Sequence, residues 1–300
     1  NGQPVDLTPI TQAQANNTVI IHGSGFKTLQ HVYFNGTESA FNPNFVTDNV
    51  IVVNINESTP YANASNKLKL VTAFGEVVYD FTVAPPSPEI SSYNSINAQA
   101  GETFKIYGKY FLNPEVKVGT ATATIVSSTL TEIVATMPAN ANDKYVSVTT
   151  ISGTSTAAQA VGSALYDDEI QGDAGHWTWS GTPIVTDFAD DTFQGKKAMK
   201  IAFGGWDGAD FKFNSRNVSQ YKAFRIRVKS TVDNSSASLK MVFGGWAFQI
   251  VKPVTTGWTY IEIPFSEIGN PTTFDQITFQ ESGSFGGNTL LIDDMGFVLK

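Results

Sequence analysis

Short runs of hydrophobic residues, many of them alternating with polar ones, recur along the whole chain. Residues 18–21, 50–53, 67–71 and 103–107 read TVII, VIVV, KLKLV and TFKIY. Such runs, bounded by Gly, Asn or Pro, are typical of the strands of a β-sandwich. No segment repeats its apolar residues with the period of 3.6 that an amphipathic helix requires. The pattern therefore predicts an all-β protein.

The N-terminal half of the chain contains an internal repeat. Residues 18–26, TVIIHGSGF, align with residues 103–111, TFKIYGKYF, at an offset of 85 residues. Each copy is followed by a Val-rich strand that leads to a glycine, at 32–36 and 116–119. A repeat of this length is one complete small sandwich.

The repeated segments resemble the IPT/TIG immunoglobulin-like domain, whose signature is a strand, a Gly-x-Gly-Phe turn and a Val-rich strand. The first copy carries this turn at Gly23–Phe26, whereas the second has Lys109 and Tyr110 where the pattern places Ser and Gly. The resemblance implies two immunoglobulin-like domains, at residues 1–86 and 87–162. The proline-rich segment between the copies predicts a semi-rigid spacer.

The pattern of aromatic residues changes beyond about residue 163. All five tryptophans lie there, and strand-like runs such as 198–203, 224–228 and 239–243 continue to the end of the chain. A domain of this length with many short strands is typical of a jelly roll. The sequence therefore predicts a jelly-roll β-sandwich at residues 163–300.

Composition narrows the possible functions. With 41% hydrophobic residues among 300, the chain can bury real cores. The formal net charge is −8 and the basic residues form no stripe, so nucleic acid is not an expected partner. The chain has no cysteine, which excludes disulfides, thiolate metal sites and Cys nucleophiles and favours a bacterial source.

Two tryptophans follow the same Phe-Gly-Gly motif. The motif ends in Trp206 and in Trp246, each time at the end of an alternating strand. The glycine pair predicts a sharp turn with positive φ that brings the indole to the rim of the sheet. Sugars bind by laying their apolar C–H faces on aromatic rings, so both indoles are candidate glycan platforms. The alternative is that both fill the core beneath the loops.

Trp177 and Trp179 are separated by one residue, so an extended segment would place both indoles on one face. One could then bind glycan while the other belongs to the core. Trp258 lies in a strongly apolar strand and is interpreted as a core residue.

Polar partners for sugar hydroxyls are expected near these aromatic residues. Asp207 follows a rim tryptophan, and Gln280 and Glu281 end a strand, although each also fits a solvated surface group. Asp168 and Asp293 lie in acidic doublets near the two ends of the C-terminal domain. If these ends meet in space, they are weak candidates for a calcium site, the alternative being two ordinary acidic turns. No other metal or cofactor is expected.

The closing strands, at 257–265 and 290–298, resemble those of jelly-roll carbohydrate-binding modules. The whole architecture resembles the surface glycan-binding proteins of Bacteroidetes polysaccharide-utilisation systems. This resemblance implies a non-catalytic, monomeric lipoprotein on the outer face of the outer membrane, working beside other glycan-uptake proteins. Its last domain would bind polysaccharide, with β-glucan favoured, and its first two would be spacers. The chain has no cysteine to carry the lipid.

Two other functions stay open from the sequence. Immunoglobulin-like repeats and rim aromatics also occur in protein-binding adhesion or structural modules. A glycoside hydrolase, or its accessory β-sandwich, would need two carboxylates about 5 to 9.5 Å apart across a cleft. Nothing in the sequence points to such a pair, and several acidic residues lie in doublets at turns, so we do not expect an enzyme.

Overall fold

The structure, a computed structural model, describes residues 8–233, 237–282 and 287–300. Its regular elements are β-strands, apart from single 3-10 turns at Phe26–Thr28 and Phe265–Ile268. The all-β prediction is therefore confirmed. Among the described residues, no helix is long and apolar enough to cross a membrane.

The chain divides into two compact units. The first comprises the residues up to Pro88 together with Thr149–Thr154, and the second comprises Glu89–Val148 and Ser155–Lys300. The first immunoglobulin-like sandwich lies in the first unit. The second unit contains the C-terminal domain and the second sandwich apart from residues 149–154.

The first sandwich has two antiparallel sheets, ordered β2-β6-β5 and β4-β3-β7-β8, and a parallel pair β1-β9. Val32 and Phe34 of β3, with Leu68 and Leu70 of β7, are buried in its core because alternate side chains of a strand share one face. The strands are β1 (Gln12–Gln14), β2 (Thr18–His22), β3 (Leu29–Phe34), β4 (Thr37–Glu38), β5 (Phe41–Val46), β6 (Val50–Asn54), β7 (Lys67–Thr72), β8 (Gly75–Asp80) and β9 (Thr82–Ala84).

The second sandwich repeats this plan, with sheets ordered β10-β11-β15-β14 and β13-β12-β16-β17. Gly25 of the first copy and Tyr110 of the second occupy aligned positions, and both have positive φ, +81° and +63°. The turn is therefore retained although a tyrosine replaces the glycine. The strands are β10 (Glu89–Asn94), β11 (Thr103–Lys109), β12 (Glu115–Val118), β13 (Ala121–Thr122), β14 (Thr124–Ser128), β15 (Glu132–Thr136), β16 (Tyr145–Thr150) and β17 (Gly153–Ala160).

The C-terminal domain is a jelly-roll sandwich, as predicted. Its six-stranded sheet is ordered β20-β21-β28-β23-β26, with β18 also paired to β28, and its five-stranded sheet is ordered β19-β22-β27-β24-β25. The strands are β18 (Ala164–Tyr166), β19 (Asp173–Thr178), β20 (Val185–Phe188), β21 (Ala198–Gly204), β22 (Gly208–Asn217), β23 (Tyr221–Ser230), β24 (Ser238–Phe243), β25 (Phe248–Pro253), β26 (Thr259–Pro264), β27 (Thr273–Glu281) and β28 (Gly287–Leu299).

A buried polar junction joins the second sandwich to the C-terminal domain. Arg225 forms an ion pair with Asp294, and both side chains are almost completely buried. Gln159 of the second sandwich donates a hydrogen bond to the Asp294 carboxylate at 2.7 Å. The Asp167 carboxylate accepts hydrogen bonds from the Ile96 backbone N–H and from the Asn94 amide. These two domains are therefore tied by charged groups that have no access to water.

The acidic doublets of the C-terminal domain lie close together because β18 pairs with β28, and the weak calcium candidates Asp168 and Asp293 direct oxygens at backbone N–H groups. One Asp168 oxygen accepts two backbone N–H groups at 2.7 Å, and one Asp293 oxygen accepts two more at 2.8 and 3.1 Å. Oxygens that face N–H donors are not directed at a cation. Within the described ranges, no three His, Asp or Glu side chains are placed to hold a metal ion.

Two buried carboxyl groups should make the stability of the second unit depend on pH. Burial raises the pKa of Asp167 to about 6 and that of Asp293 to about 7, against about 4 in an unfolded chain. The folded state binds these protons more tightly, so the stabilisation is complete below pH ~4 and is lost as the pH rises through 6 and 7.

We therefore expect the free energy of unfolding to be lower at pH 8 than at pH 5, by roughly 4 kcal/mol from these two groups together. Thermal melts followed by circular dichroism between pH 5 and pH 8 measure this change. The variant Asp293→Asn cannot titrate and should lose the larger part of it. The same pH dependence in Asp293→Asn and in the parent protein would rule out this assignment.

Candidate functional site

The outer face of the five-stranded sheet carries the exposed tryptophans. One row of directly paired residues crosses four strands of this sheet. Trp177 of β19 pairs with Asp210 of β22, and Thr278 of β27 pairs with both Asp210 and Val242 of β24. Directly paired residues project from the same face of a sheet. The next residue of β22, Phe211, lies in the core, so this row faces outward. We call this surface, with the turns at its edges, the tryptophan face.

Four indoles on the tryptophan face are about half exposed. The exposed fractions are 45% for Trp177, 48% for Trp179, 57% for Trp206 and 44% for Trp246. The rings of Trp179 and Trp246 stack, with centroids 5.7 Å apart and planes inclined by 25°. A soluble protein seldom exposes so much clustered apolar surface without a binding partner.

The turns that carry Trp206 and Trp246 have unusual backbone conformations. In the second turn Gly244, Gly245 and Trp246 all have positive φ, as the glycine pair predicts. In the first turn the positive φ, +62°, falls on Trp206 itself, not on its glycines. This conformation costs a bulky residue about 1–2 kcal/mol. Strain of this kind persists where the surrounding structure holds it and tends to occur at functional sites.

The Trp206 turn is held by the end of strand β27. The Glu281 carboxylate accepts a hydrogen bond from the Trp206 backbone N–H at 3.0 Å, and the Gln280 amide donates one to the Trp206 carbonyl at 3.1 Å. Lys240 donates to the Gln280 side-chain oxygen at 3.0 Å, and its ammonium lies 5.7 Å from the Trp206 ring centroid. Gln280 and Glu281 are buried and position the indole from below.

Asp207 connects the Trp206 turn to the loop that follows Trp179. Its buried carboxylate accepts hydrogen bonds from the Ser180 backbone N–H at 3.1 Å and from the Ser180 hydroxyl at 2.5 Å. It also accepts the Gly208 backbone N–H at 2.9 Å. The polar residues expected at the rim thus lie beside the tryptophans, but their hydrogen bonds are made within the turns.

Sequence reasoning missed the polar row beneath the indoles. Asp210 is buried although it projects from the outer face, and it accepts hydrogen bonds from Thr278 at 2.6 Å and from Gln276 at 2.8 and 3.0 Å. Lys212 places its ammonium 5.2 Å from the Trp177 ring centroid. The alternation of polar and apolar residues in β22 and β27 indicates that Asp210 and Thr278 project outward. Only the strand register reveals that they adjoin Trp177.

Comparison with known proteins places the chain in a family. The IPT/TIG domain model matches residues 5–81 and 88–163, just over half of the chain. The chain belongs to the IPT/TIG domain family. The two matched segments of this IPT/TIG protein cover the two immunoglobulin-like sandwiches. The exposed tryptophans all lie beyond them.

Solved structures similar to the IPT/TIG protein include two surface glycan-binding proteins and a carbohydrate-binding module. A surface glycan-binding protein from Prevotella bryantii shares 19% sequence identity and a TM-score of 0.53, with 99% of this chain and 97% of that chain covered. A second such protein, from a complex xyloglucan utilization locus in Bacteroides uniformis, has 17% identity, a TM-score of 0.42 and 96% coverage of each chain. The family 11 carbohydrate-binding module of a Clostridium thermocellum cellulosomal cellulase has 18% identity and a TM-score of 0.35, over 47% of this chain and 97% of its own. No curated protein sequence matches the chain.

Proposed function

We propose that this protein is a non-catalytic, cell-surface polysaccharide-binding protein whose tryptophan face captures a glycan, preferentially a β-glucan. The observation that carries the proposal is the stacked, half-exposed pair Trp179 and Trp246, flanked by Trp177 and Trp206 on the same face. The shared fold with a surface glycan-binding protein from Prevotella bryantii is consistent with this function.

The chemistry of the tryptophan face suits a neutral sugar chain. Pyranose rings have apolar C–H faces that pack on indoles, and several indoles along one face offer platforms to successive sugar units. Lys212 and Lys240, each beside an indole, supply ammonium donors to hydroxyl oxygens. The buried residues Asp207, Gln280 and Glu281 fix the turns, and we assign them to positioning the glycan platforms.

The carboxylates of the tryptophan face support binding without hydrolysis. A glycosidase holds two carboxyl groups on either side of the scissile bond, where they exchange protons with substrate. Asp207 and Asp210 are instead buried, and their oxygens accept hydrogen bonds from neighbouring protein groups. The Glu281 carboxylate is likewise engaged with the backbone of the Trp206 turn.

Affinity electrophoresis tests the proposed function. The full chain is run through native gels that contain mixed-linkage β-glucan, xyloglucan, xylan, mannan or no polysaccharide. We expect retardation by at least one β-glucan and no release of reducing sugar during prolonged incubation with it. Equal mobility in all gels would reject glycan binding, and release of reducing sugar would reject the non-catalytic assignment.

A single methyl group should disturb the stacked pair. A Cβ added at Gly208 would lie 2.9 Å from the Trp179 ring, closer than real Cβ contacts occur. We expect Gly208→Ala to shift the Trp179 indole and weaken glycan binding by roughly three- to tenfold, because about 1 kcal/mol of stacking is lost. Titration calorimetry measures the change.

Gly257→Ala is the matched control for this prediction, because its added Cβ meets nothing closer than 3.8 Å. It should bind glycan like the parent protein. Parent-like affinity in Gly208→Ala would show that Trp179 does not contact the glycan.

A further inference from the structure

The outer face of the six-stranded sheet carries a second cluster of aromatic and charged side chains. Arg227 of β23 pairs directly with Tyr260 of β26, and the flanking residues Ile226 and Val228 lie in the core. Arg227 and Tyr260 therefore project outward, on the side of the sandwich opposite to the tryptophan face.

The Arg227 guanidinium is held between two aromatic rings. Its central carbon lies 4.0 Å from the Phe193 ring centroid and 4.8 Å from that of Tyr260. Phe193 in turn meets the edge of Trp258, whose indole N–H donates to Asp191 at 3.1 Å. The guanidinium plane is thus fixed by packing before any ligand arrives.

Among the described residues, none accepts a hydrogen bond from the Arg227 guanidinium. Its Nε is buried without a partner there. Burial lowers the pKa of Arg227, as expected when a cation is withdrawn from water with incomplete compensation. A fixed guanidinium with free donors favours a ligand rich in oxygen acceptors.

An aromatic surface and an acceptor lie directly beside these donors. Tyr260 is 42% exposed, and its hydroxyl donates to the Glu262 carboxylate at 2.7 Å. Glu262 also lines a cavity of about 470 Å³, which continues along the sheet past polar side chains that include Lys222, Ser266 and Asn270. Ligand sites commonly have volumes of about 300–1,000 Å³.

We propose that Arg227, Tyr260 and Glu262 form a second glycan-binding site, which takes a neutral hexose unit of the same polysaccharide. The Tyr260 ring supports the C–H face of the sugar, Arg227 donates to its hydroxyl oxygens, and Glu262 accepts from a hydroxyl. The exposed Glu262 carboxylate disfavours an acidic sugar, and Lys229, which neighbours Arg227 on β23, is already paired with Asp191 at 2.5 Å. The proposal rests on the proposed function.

Two sites on opposite faces would let one chain engage two glycan segments. Binding to a polysaccharide would then exceed binding to an oligosaccharide through avidity, because the second contact becomes intramolecular.

Titration calorimetry of the full chain with cellohexaose tests the second site. We expect a stoichiometry of two for the parent protein and of one for Tyr260→Ala and for Arg227→Met, with unchanged thermal midpoints. Tyr260→Phe keeps the ring and should retain both binding events, with the second weakened severalfold. Lys197→Met, which removes an exposed cation elsewhere in the domain, and Phe74→Ala, which removes an exposed ring in the first unit, should bind like the parent.

The outcomes separate this inference from the proposed function. A stoichiometry of one in the parent, unchanged in Tyr260→Ala and Arg227→Met but abolished in Trp246→Ala, would overturn the second site and leave the tryptophan face intact. Loss of one binding event in Tyr260→Ala, with none lost in Trp246→Ala, would uphold the second site and reject the tryptophan face. No heat with cellohexaose, and no retardation by any polysaccharide, would overturn both.

Discussion

Replacing Trp246 with alanine should weaken glycan binding on the order of 50-fold while the domain stays folded. The indole is only about half buried, so its free face is the part available to a sugar. A sugar that covers roughly 100 Å² of one indole face contributes about 2.5 kcal/mol at ~25 cal/mol/Å². This free energy corresponds to a change of about 50-fold in the dissociation constant.

Trp206→Ala should have a similar effect on affinity. Phe74→Ala, which removes a 90% exposed ring from the first unit, is the control. Calorimetry gives the affinity and thermal melts give the stability. Core tryptophans would behave differently, because their loss costs roughly 3–5 kcal/mol of stability. Parent-like affinity in both tryptophan variants would exclude the tryptophan face as the glycan site.

Removing the carboxylate of Asp294 should cause the largest loss of stability. Asp294→Ala would leave the Arg225 guanidinium charged and without its ion-pair partner in a fully buried position, and Gln159 would lose its acceptor. Breaking a buried ion pair in this way costs about 3–5 kcal/mol. For a unit of this size we expect the thermal midpoint to fall by about 10 °C.

Asp190→Ala removes an exposed carboxylate from the same domain and should leave the melt unchanged. The double variant Arg225→Met, Asp294→Leu replaces both charges by apolar groups and should recover much of the loss, since the unpaired charge is the main cost. An unchanged midpoint in Asp294→Ala would show that the junction contributes little to stability.

The fold could be predicted because the sequence features that indicate it lie within short segments of the chain. Alternating runs indicated the strands, and the repeat of TVIIHGSGF as TFKIYGKYF indicated two similar sandwiches. The turn at Tyr110 could not be predicted from local preference, because a tyrosine rarely adopts positive φ, yet the surrounding sandwich imposes the same conformation as at Gly25. At such positions tertiary packing overrides the backbone preference of the individual residue.

The candidate site was predictable only in part. The repeated Phe-Gly-Gly-Trp motif identified Trp206 and Trp246, but the stacking of Trp246 on Trp179 depends on the order and register of strands far apart in sequence. The same holds for Asp210 and Thr278, which adjoin Trp177 only through cross-strand pairing.

The buried junction gave no signal in the sequence. Acidic doublets near residues 167 and 293 are typical of exposed turns or of calcium sites. Their burial follows from the packing of two domains, where Arg225 and backbone N–H groups compensate the carboxylates. A sequence pattern does not report such contacts between domains.

We propose that the tryptophan face binds a neutral polysaccharide. A glycan array tests this claim when it is probed in parallel with the parent protein and with the double variant Trp179→Ala, Trp246→Ala. We predict that the parent binds β-glucan oligosaccharides and that the folded double variant loses that signal. Binding of the double variant at the level of the parent, or the absence of any glycan signal from the parent, would contradict the claim.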